Sequence, residues 1–217
     1  MIRFVTGTDT GVGKTVTASA LATAHREAGD RVAYYKPVQT GVGKSEPGDA
    51  GFVAAMAEVD VHEGVRLPEP LAPTVAAESA GTTIEPEVLV REALTLARDL
   101  DVLIVEGAGG LLVPLAVGMS MADYALAIEA RLVVVVRPGL GTLNHTALTI
   151  EAALARGLTV DGIVVSGWPS EPARLEKTNL RELAGMATVL GVIAIDRELD
   201  TETLSGHPPR LVVPSTL

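Results

Sequence analysis

Short apolar runs that lack polar alternation recur along this chain of 217 residues, and they constrain its fold more than any other feature. Strands of that kind are buried on both faces, as in parallel sheets, and each parallel pair needs a crossover connection that is usually a helix. Helical patterns do lie between the runs. The sequence therefore predicts a three-layer α/β domain with a mostly parallel central sheet. The predicted strands are residues 2–6, 31–36, 101–105, 131–136, 162–166 and 189–195.

The remaining segments divide into helices and one irregular region. The length favours a single domain over residues 1–217. Segment 38–82 is rich in Pro and Gly, and only a short helix at 49–57 is expected within it. The last stretch, 197–217, is expected to be either an edge strand or a loose tail. The other predicted helices are residues 14–28, 85–100, 142–156 and 172–187.

Composition excludes several classes of function. The net charge is −10, and an acidic chain is repelled by phosphate backbones and anionic membranes, so nucleic-acid or lipid binding is not expected. The absence of cysteine excludes thiol catalysis, disulfides and cysteine metal sites, and the four histidines are scattered. No apolar run approaches the ~18 residues of a membrane span, and the N-terminal segment reads as a strand rather than a signal peptide. We expect a soluble, cytoplasmic protein.

A glycine-rich loop between the first strand and the first helix predicts a phosphate site. It reads Gly-Thr-Asp-Thr-Gly-Val-Gly-Lys-Thr from Gly7 to Thr15. Backbone N–H groups of such a loop cradle phosphates, the lysine reaches the outer phosphates, and the Thr hydroxyl binds Mg²⁺. Thr8 stands where the P-loop pattern has glycine, and an ordinary strand-to-helix turn is the alternative. A dinucleotide fingerprint fails because Val16 occupies a glycine position.

Charged residues at two other predicted strand ends point to the same edge of the sheet. Lys36 ends the second strand, close to Lys14, and Glu106 follows strand 101–105. Two converging lysines favour an anionic reactant, and a carboxylate at this edge is placed to hold Mg²⁺. Asp49 is a candidate second carboxylate. The alternatives are a solvated lysine at a strand end and, for Asp49, a plain helix N-cap.

The turn before helix 142–156 is a further anion-binding candidate. Its residues 139–144 read Gly-Leu-Gly-Thr-Leu-Asn, and free N–H groups at a helix start can hold a carboxylate. Every helix start in the chain offers the same groups, so the sequence alone assigns no ligand here.

Four motifs together resemble dethiobiotin synthetases. They are the glycine loop, Tyr-Lys-Pro-Val-Gln-Thr-Gly at 35–41, Glu-Gly-Ala-Gly-Gly-Leu-Leu-Val-Pro-Leu at 106–115, and Gly-Leu-Gly-Thr-Leu-Asn-His-Thr at 139–146. They occur in that family's order with similar spacing, and the resemblance extends over residues 2–196. The loop alone is shared with many ATPases, whereas its combination with Lys36 and Glu106 is specific. The resemblance implies a P-loop fold of the NTPase type.

The resemblance also implies a reaction. The family converts 7,8-diaminopelargonic acid and CO₂ to dethiobiotin, the penultimate compound of biotin synthesis, with ATP as co-substrate and Mg²⁺. One amine captures CO₂ as a carbamate, a carbamate oxygen attacks the γ-phosphate, and the second amine closes the ring by displacing phosphate. Cations must screen the anions that meet in this reaction. The family is a homodimer.

Roles follow by resemblance, position by position. Lys36 resembles the carbamate-binding lysine and Lys14 the phosphate lysine, with Thr10 near the reacting group. Thr15, Asp49 and Glu106 resemble the magnesium ligands. Thr40 resembles a substrate contact, and the helix start at Gly141, Thr142, Leu143 and Asn144 would receive the substrate carboxylate from the neighbouring subunit. The residues implied to surround the nucleotide are Gly11, Val12, Gly13, Lys14, Thr15, Val16, Asp49, Glu106, Gly107, Ala108, Gly109, Ser166, Gly167 and Ala194.

The departures from the family lie where the base would bind. Ser166 stands where family members commonly carry an asparagine that reads the adenine edge, and Ile193-Ala194 replaces an Ile-Pro turn beside the base. A site without that amide loses a means of rejecting other bases. We therefore predict weakened base discrimination, with CTP or another nucleoside triphosphate accepted.

Two rival functions share this fold branch. Switch ATPases of the partitioning and septum-site type carry a signature lysine early in the glycine loop, but Asp9 occupies that position here. The chain also has no basic amphipathic tail for membrane docking. Amidating synthetases of the cobyrinate type usually add a glutaminase domain, for which this chain has no room.

Overall fold

A computed structural model describes residues 1–194 and 209–213, and a seven-stranded sheet forms its centre. All neighbouring strands of this sheet pair in parallel, in the order β3-β2-β4-β1-β7-β8-β9. The strands within the described residues are β1 (Ile2–Gly7), β2 (Val32–Thr40), β3 (Asp60–Leu67), β4 (Val102–Gly110), β5 (Pro114–Ala116), β6 (Met119–Ser120), β7 (Arg131–Val136), β8 (Thr159–Trp168) and β9 (Val189–Ala194).

Helices cover both faces of the sheet and produce the predicted three layers. Side chains of α1 (Lys14–Glu27) and α2 (Gly48–Ala57) pack in one apolar cluster against one face. The opposite face is covered by two further clusters. These receive side chains from α3 (Pro73–Ser79), α4 (Pro86–Leu96), α5 (Met121–Ala127), α6 (Thr142–Leu154) and α7 (Arg174–Ala184).

The structure corrects the sequence expectation for segment 38–82. Strand β2 continues through Pro37 to Thr40, and both β3 and α3 lie in the region expected to be loop. From Asp60 to Val65 the β3 side chains alternate between exposed and half-buried, as expected at a sheet edge, and only Leu67 at the end of this strand is buried, so β3 has no apolar run. Gly64 allows the close pairing with β2, because a Cβ there would lie 2.4 Å from the Pro37 carbonyl oxygen.

The chain between β4 and β7 also holds structure that the sequence did not predict. Strands β5 and β6 form a two-stranded antiparallel ribbon, and α5 follows directly. A capping box starts α5, in which the Ser120 hydroxyl accepts from the Asp123 N–H and the Asp123 carboxylate accepts from the Ser120 N–H.

The C-terminal predictions are only partly within the described residues. Val212 forms an antiparallel bridge with Val192 of β9. Ile195, the last residue of the predicted strand, and most of segment 197–217 lie outside the described ranges, so the choice between an edge strand and a tail stays open, as does the single-domain prediction. No helix among the described residues is long and apolar enough to span a membrane.

Candidate active site

The site begins where β2 separates from β4. These strands pair up to Tyr35 opposite Val105, after which β2 continues beside β3 as far as Thr40 opposite Leu67. Lys36 and Glu106 are the first residues beyond the separation. Ligand crevices of open α/β sheets form at such carboxyl ends. The sheet therefore places an ammonium and a carboxylate at the mouth of the crevice.

The glycine loop closes one side of this crevice. It connects β1 to α1, and Gly13, the residue before α1, has a left-handed backbone (φ 95°). Gly7 lies so close to the loop that a Cβ would be 2.6 Å from the Val12 side chain and 2.8 Å from the Asp9 carbonyl oxygen. No side chain among the described residues caps the start of α1, so its first N–H groups are available to an anion.

Lys14 lies buried at the start of α1. Its Nζ donates to the Asp9 carbonyl oxygen at 3.0 Å. Burial lowers the pKa of Lys14; the Glu106 carboxylate opposes this shift, whereas the Lys36 ammonium adds to it. The two lysines are thus close enough to influence each other, as the converging-lysine interpretation requires.

The Glu106 carboxylate is the centre of the site's hydrogen-bond network. It is 1% exposed. Its Oε1 accepts from Lys36 Nζ at 2.7 Å and from the Thr15 hydroxyl at 3.0 Å, while its Oε2 accepts from the Tyr34 hydroxyl at 2.9 Å. Lys36 Nζ also lies 2.7 Å from Asp49 Oδ2, so the lysine bridges two carboxylates.

The two carboxylates determine the protonation of Lys36. Burial of the side chain would by itself lower the pKa of Lys36, but Glu106 and Asp49 outweigh it and raise the pKa above its ordinary value. Burial, with a further contribution from Glu106, raises the pKa of Tyr34 well above that of a free phenol. Lys36 is therefore a fixed cation and Tyr34 a neutral donor.

A cavity of about 470 Å³ brings most of the predicted phosphate and reaction residues together. The neighbouring Gly107 contributes its carbonyl oxygen, 3.3 Å from Lys36 Nζ. The predicted residues that line the cavity are Thr10, Gly11, Gly13, Lys14, Thr15, Val16, Lys36, Thr40, Asp49, Glu106, Ala108 and Gly109.

A second cavity of about 560 Å³ adjoins the first and shares Gly11 and Gly13 with it. Predicted residues Val12, Thr142, Ser166 and Gly167 line this second cavity. The side-chain oxygens of Thr142 and Ser166 are buried and have no hydrogen-bond partner within residues 1–194 and 209–213, and unpaired buried oxygens are uncommon in proteins.

Some predicted site residues do not line either of these cavities. Ala194 pairs with Trp168 at the end of β9. At the start of α6, Leu143 packs against the apolar cluster beneath it, and Gly141 and Asn144 are exposed. Contact of the α6 start with a substrate from a neighbouring subunit stays a prediction.

Three side chains of the site were missed by the sequence analysis. Tyr34 lies two residues before Lys36 on the same strand face, and this spacing was the sequence signal that could have identified Tyr34 as a site residue. Gln39 is buried and accepts from the Asp49 N–H at 3.0 Å, which fixes the start of α2. Arg137 follows β7 and donates to the Asp9 carboxylate at 2.7 Å. Its place after an apolar strand was the available signal for Arg137.

The donor chemistry around Glu106 fits a magnesium ion. Thr15, Asp49 and Glu106 supply hydroxyl and carboxylate oxygens, the ligand type that Mg²⁺ prefers. Within residues 1–194 and 209–213, no three His, Cys, Asp or Glu side chains form a metal-binding group. Mg²⁺ at nucleotide sites is held by one or two carboxylates together with phosphates, which these residues match.

Comparisons with known proteins identify the family. A family model described as "AAA domain" matches residues 3–203. The ATP-dependent dethiobiotin synthetase BioD of Mycobacterium avium (strain 104) is 48% identical over 192 residues, which cover 87% of this chain and 84% of that protein. The chain belongs to the dethiobiotin synthetase family. BioD of Rhodococcus jostii (strain RHA1) is likewise 48% identical, over 87% of this chain and 83% of its own length.

Solved structures confirm the fold type of this dethiobiotin synthetase family member. The septum site-determining protein MinD from Pyrococcus horikoshii, complexed with Mg-ADP, superposes with a TM-score of 0.62 at 19% identity, over 96% of this chain and 87% of that one. Chloroplast FtsY from Physcomitrella patens superposes with a TM-score of 0.55 at 15% identity, over 94% of this chain and 63% of that one. At these identities the likeness shows the fold alone. The predicted family and ligase class are confirmed, as is the P-loop fold.

Proposed function

We propose that this chain catalyses the Mg-nucleotide-dependent carboxylation and ring closure of 7,8-diaminopelargonic acid with CO₂ to dethiobiotin. The observation that carries the proposal is Lys36 Nζ, 2.7 Å from both Asp49 and Glu106, in the cavity that also contains the glycine loop. An ammonium at the junction of a phosphate loop and two carboxylates suits a reaction in which a carbamate must approach a triphosphate.

The proposed reaction has three steps. An amine of the substrate adds to CO₂, forms a C–N bond and loses a proton, which gives a carbamate held by Lys36. A carbamate oxygen then bonds to the γ-phosphorus as the bond to the β-phosphate oxygen breaks, so that the nucleoside diphosphate leaves and a carbamic-phosphoric anhydride remains. The second amine attacks the carbonyl carbon, inorganic phosphate leaves with the C–O bond, and loss of a proton completes the cyclic urea.

Each residue then has a role that its position supports. Lys14 neutralises the transferring phosphoryl group, and Thr10 contacts it from the glycine loop. Lys36 orients the carbamate, and Thr40 contacts the substrate beside its amines. Thr15, Asp49 and Glu106 would hold Mg²⁺, which neutralises phosphate charge when bound. A cytoplasmic location of the protein stays a prediction.

The nucleoside end is assigned to the cavity beside Ser166. The unpaired hydroxyls of Thr142 and Ser166 provide small hydrogen-bonding groups there, with no side-chain amide at position 166 to select adenine. Ala194 lies one strand further on. We propose that ATP is the usual co-substrate and that CTP or another triphosphate is also accepted.

A product assay tests the proposed reaction. The protein is incubated with 7,8-diaminopelargonic acid, labelled bicarbonate, Mg²⁺ and either ATP or CTP, and labelled dethiobiotin is measured by mass spectrometry. Product with both nucleotides is expected, with none from Lys36→Ala and wild-type amounts from Lys177→Ala, a change at an exposed lysine of α7.

The other outcomes separate the parts of the proposal. Product with ATP alone would remove the relaxed base preference and keep the enzyme. No product from folded protein that still binds Mg-nucleotide would refute the synthetase assignment and favour a switch-type ATPase.

We further propose a homodimer in which the α6 start of one subunit binds the substrate carboxylate in the other subunit's site. Asn144→Asp places a carboxylate at this helix start and should repel the substrate. Mixing inactive Lys36→Ala and Asn144→Asp subunits would restore about a quarter of the wild-type sites, because each mixed dimer has one intact site. No recovery after verified subunit exchange would refute the shared site.

A further inference from the structure

Tyr34 is fully buried beside Glu106, and no step of the proposed reaction uses it. Side chains two residues apart on a strand share a face, so Tyr34 and Lys36 both point towards Glu106 while Tyr35 points to the opposite face. The Tyr34 hydroxyl donates to Glu106 Oε2 at 2.9 Å. It is a hydrogen bond between two side chains that are both shielded from solvent.

The donors around Glu106 are divided between its two oxygens. Oε1 accepts from Lys36 at 2.7 Å and from Thr15 at 3.0 Å. Both of these residues line the cavity of about 470 Å³ that contains the glycine loop. Oε2 accepts from Tyr34, which does not line that cavity. A turn of the carboxylate out of its present plane would take both oxygens away from the Tyr34 hydroxyl. That hydroxyl would then lack an acceptor in a buried place, which is unfavourable.

We propose that Tyr34 is a positioning residue that orients the Glu106 carboxylate so that Oε1 faces the cavity and the Mg²⁺ of the bound nucleotide. The proposal rests on the magnesium role assigned to Glu106 under the proposed function. Groups that hydrogen-bond to a metal ligand fix its orientation, and their loss typically weakens metal binding about 10- to 100-fold.

The neighbouring tyrosine provides a matched control. The Tyr35 hydroxyl donates to Glu92 Oε2 at 2.6 Å on the opposite face of the sheet. Tyr35→Phe therefore removes the same atom from the same strand, together with one carboxylate hydrogen bond, at a distance from the magnesium residues. Any effect of Tyr34→Phe that Tyr35→Phe does not share is specific to Glu106.

The first experiment measures how ADP binding to the full chain depends on Mg²⁺, by titration calorimetry. Tyr34→Phe should raise the Mg²⁺ concentration for half-maximal ADP binding about tenfold, and Tyr35→Phe should not. In the product assay, Tyr34→Phe should raise the KM for Mg²⁺ while kcat at saturating Mg²⁺ stays near that of the wild type. An unchanged Mg²⁺ requirement, or equal shifts in both variants, would overturn the proposal.

A measurement on the wild-type protein keeps the test independent of how well the variant folds. The chain has three tyrosines, so ¹³Cζ-tyrosine labelling gives three signals; Tyr35→Phe and Tyr124→Phe assign two of them, and the third belongs to Tyr34. With ADP present, added Mg²⁺ should shift the Tyr34 signal and leave that of Tyr35 in place, and an unmoved Tyr34 signal refutes the proposal. ADP binding indifferent to Mg²⁺ would overturn it together with the magnesium assignment, whereas failure to form dethiobiotin alone would leave these readouts intact.

Discussion

Lys36→Met removes the ammonium that bridges Asp49 and Glu106 and keeps a side chain of similar length. Glu106 is 1% exposed, so it would retain a buried charge, with the Tyr34 and Thr15 hydroxyls as its remaining donors in the part of the chain that the structure describes. The Asp49 side chain is 31% exposed and can be hydrated. Removing one partner of a fully buried ion pair costs about 3–5 kcal/mol, and the remaining donors favour the lower end, about 3 kcal/mol.

This loss of stability is measurable by thermal unfolding. In a chain of 217 residues, each kcal/mol lowers Tm by about 2–4 °C, so the variant should melt roughly 6–12 °C below wild type. Lys177→Met, the same change at an exposed position, should alter the unfolding free energy by no more than about 0.5 kcal/mol.

A double variant separates stability from catalysis. Glu106→Gln removes the charge left unpaired by Lys36→Met. The amide oxygen can still accept from one of the two hydroxyls, and the other hydroxyl can accept from the amide NH₂. The Lys36→Met/Glu106→Gln protein should therefore recover about 2 kcal/mol relative to the sum of the single variants, yet form no labelled dethiobiotin. If the two single effects add to within about 0.5 kcal/mol, the buried-pair reasoning is refuted. If the double variant forms product, Lys36 does not act on the carbamate.

Three further changes test the base site, the loop and a helix cap. Ser166→Asn should increase the preference for ATP over CTP about tenfold in a competition assay, because an amide can read the adenine edge; an unchanged ratio would contradict the base assignment. Arg137→Ala should change stability by less than about 1 kcal/mol, since its pair with Asp9 is largely exposed, but should weaken ADP binding in low salt more than in high salt. Ser120→Ala should cost about 1 kcal/mol in urea unfolding at neutral pH. The Ser120 side chain and N–H lower the pKa of Asp123, so this contribution is present above the pKa of an unfolded Asp and is lost as the pH falls through the folded value; an undiminished cost in acid would argue against the cap.

The elements that the sequence predicted well are those whose environment is uniform. Strand β7 runs from Arg131 to Val136 as predicted, because its five valine and leucine residues are buried on both faces. Strand β3 was missed because an edge strand mixes exposed and half-buried side chains. Helices α3 and α5 have seven residues each, too few for an apolar period to be recognised.

The site was predictable to the extent that it depends on strand ends. Lys36 and Glu106 follow apolar strands, so their convergence could be inferred from the parallel sheet. The ion pair between Lys36 and Asp49 forms because the loop after β2 folds back towards the strand end. The Gln39 side chain holds the Asp49 backbone in place there. No periodic sequence pattern encodes the path of this loop. Without the family resemblance, the sequence therefore did not distinguish between Asp49 as a helix N-cap and Asp49 as a magnesium ligand.

The pairing of β2 with β4 explains how a few residues on two strands assemble the centre of the site. While β2 pairs with β4, Tyr34 lies opposite Ile104, which shares its sheet face with Glu106 two residues later. The same alternation puts Tyr34 and Lys36 on the side of the sheet that faces α1, where Thr15 lies in the first turn of the helix. Tyr35 lies on the other side with Glu92. A shift of one residue in this pairing would move both Tyr34 and Lys36 to the wrong face. Lys36, its carboxylate partner and the tyrosine that donates to that carboxylate are thus placed together by one strand register, while Ser166 and Ala194 lie apart from it, on β8 and β9.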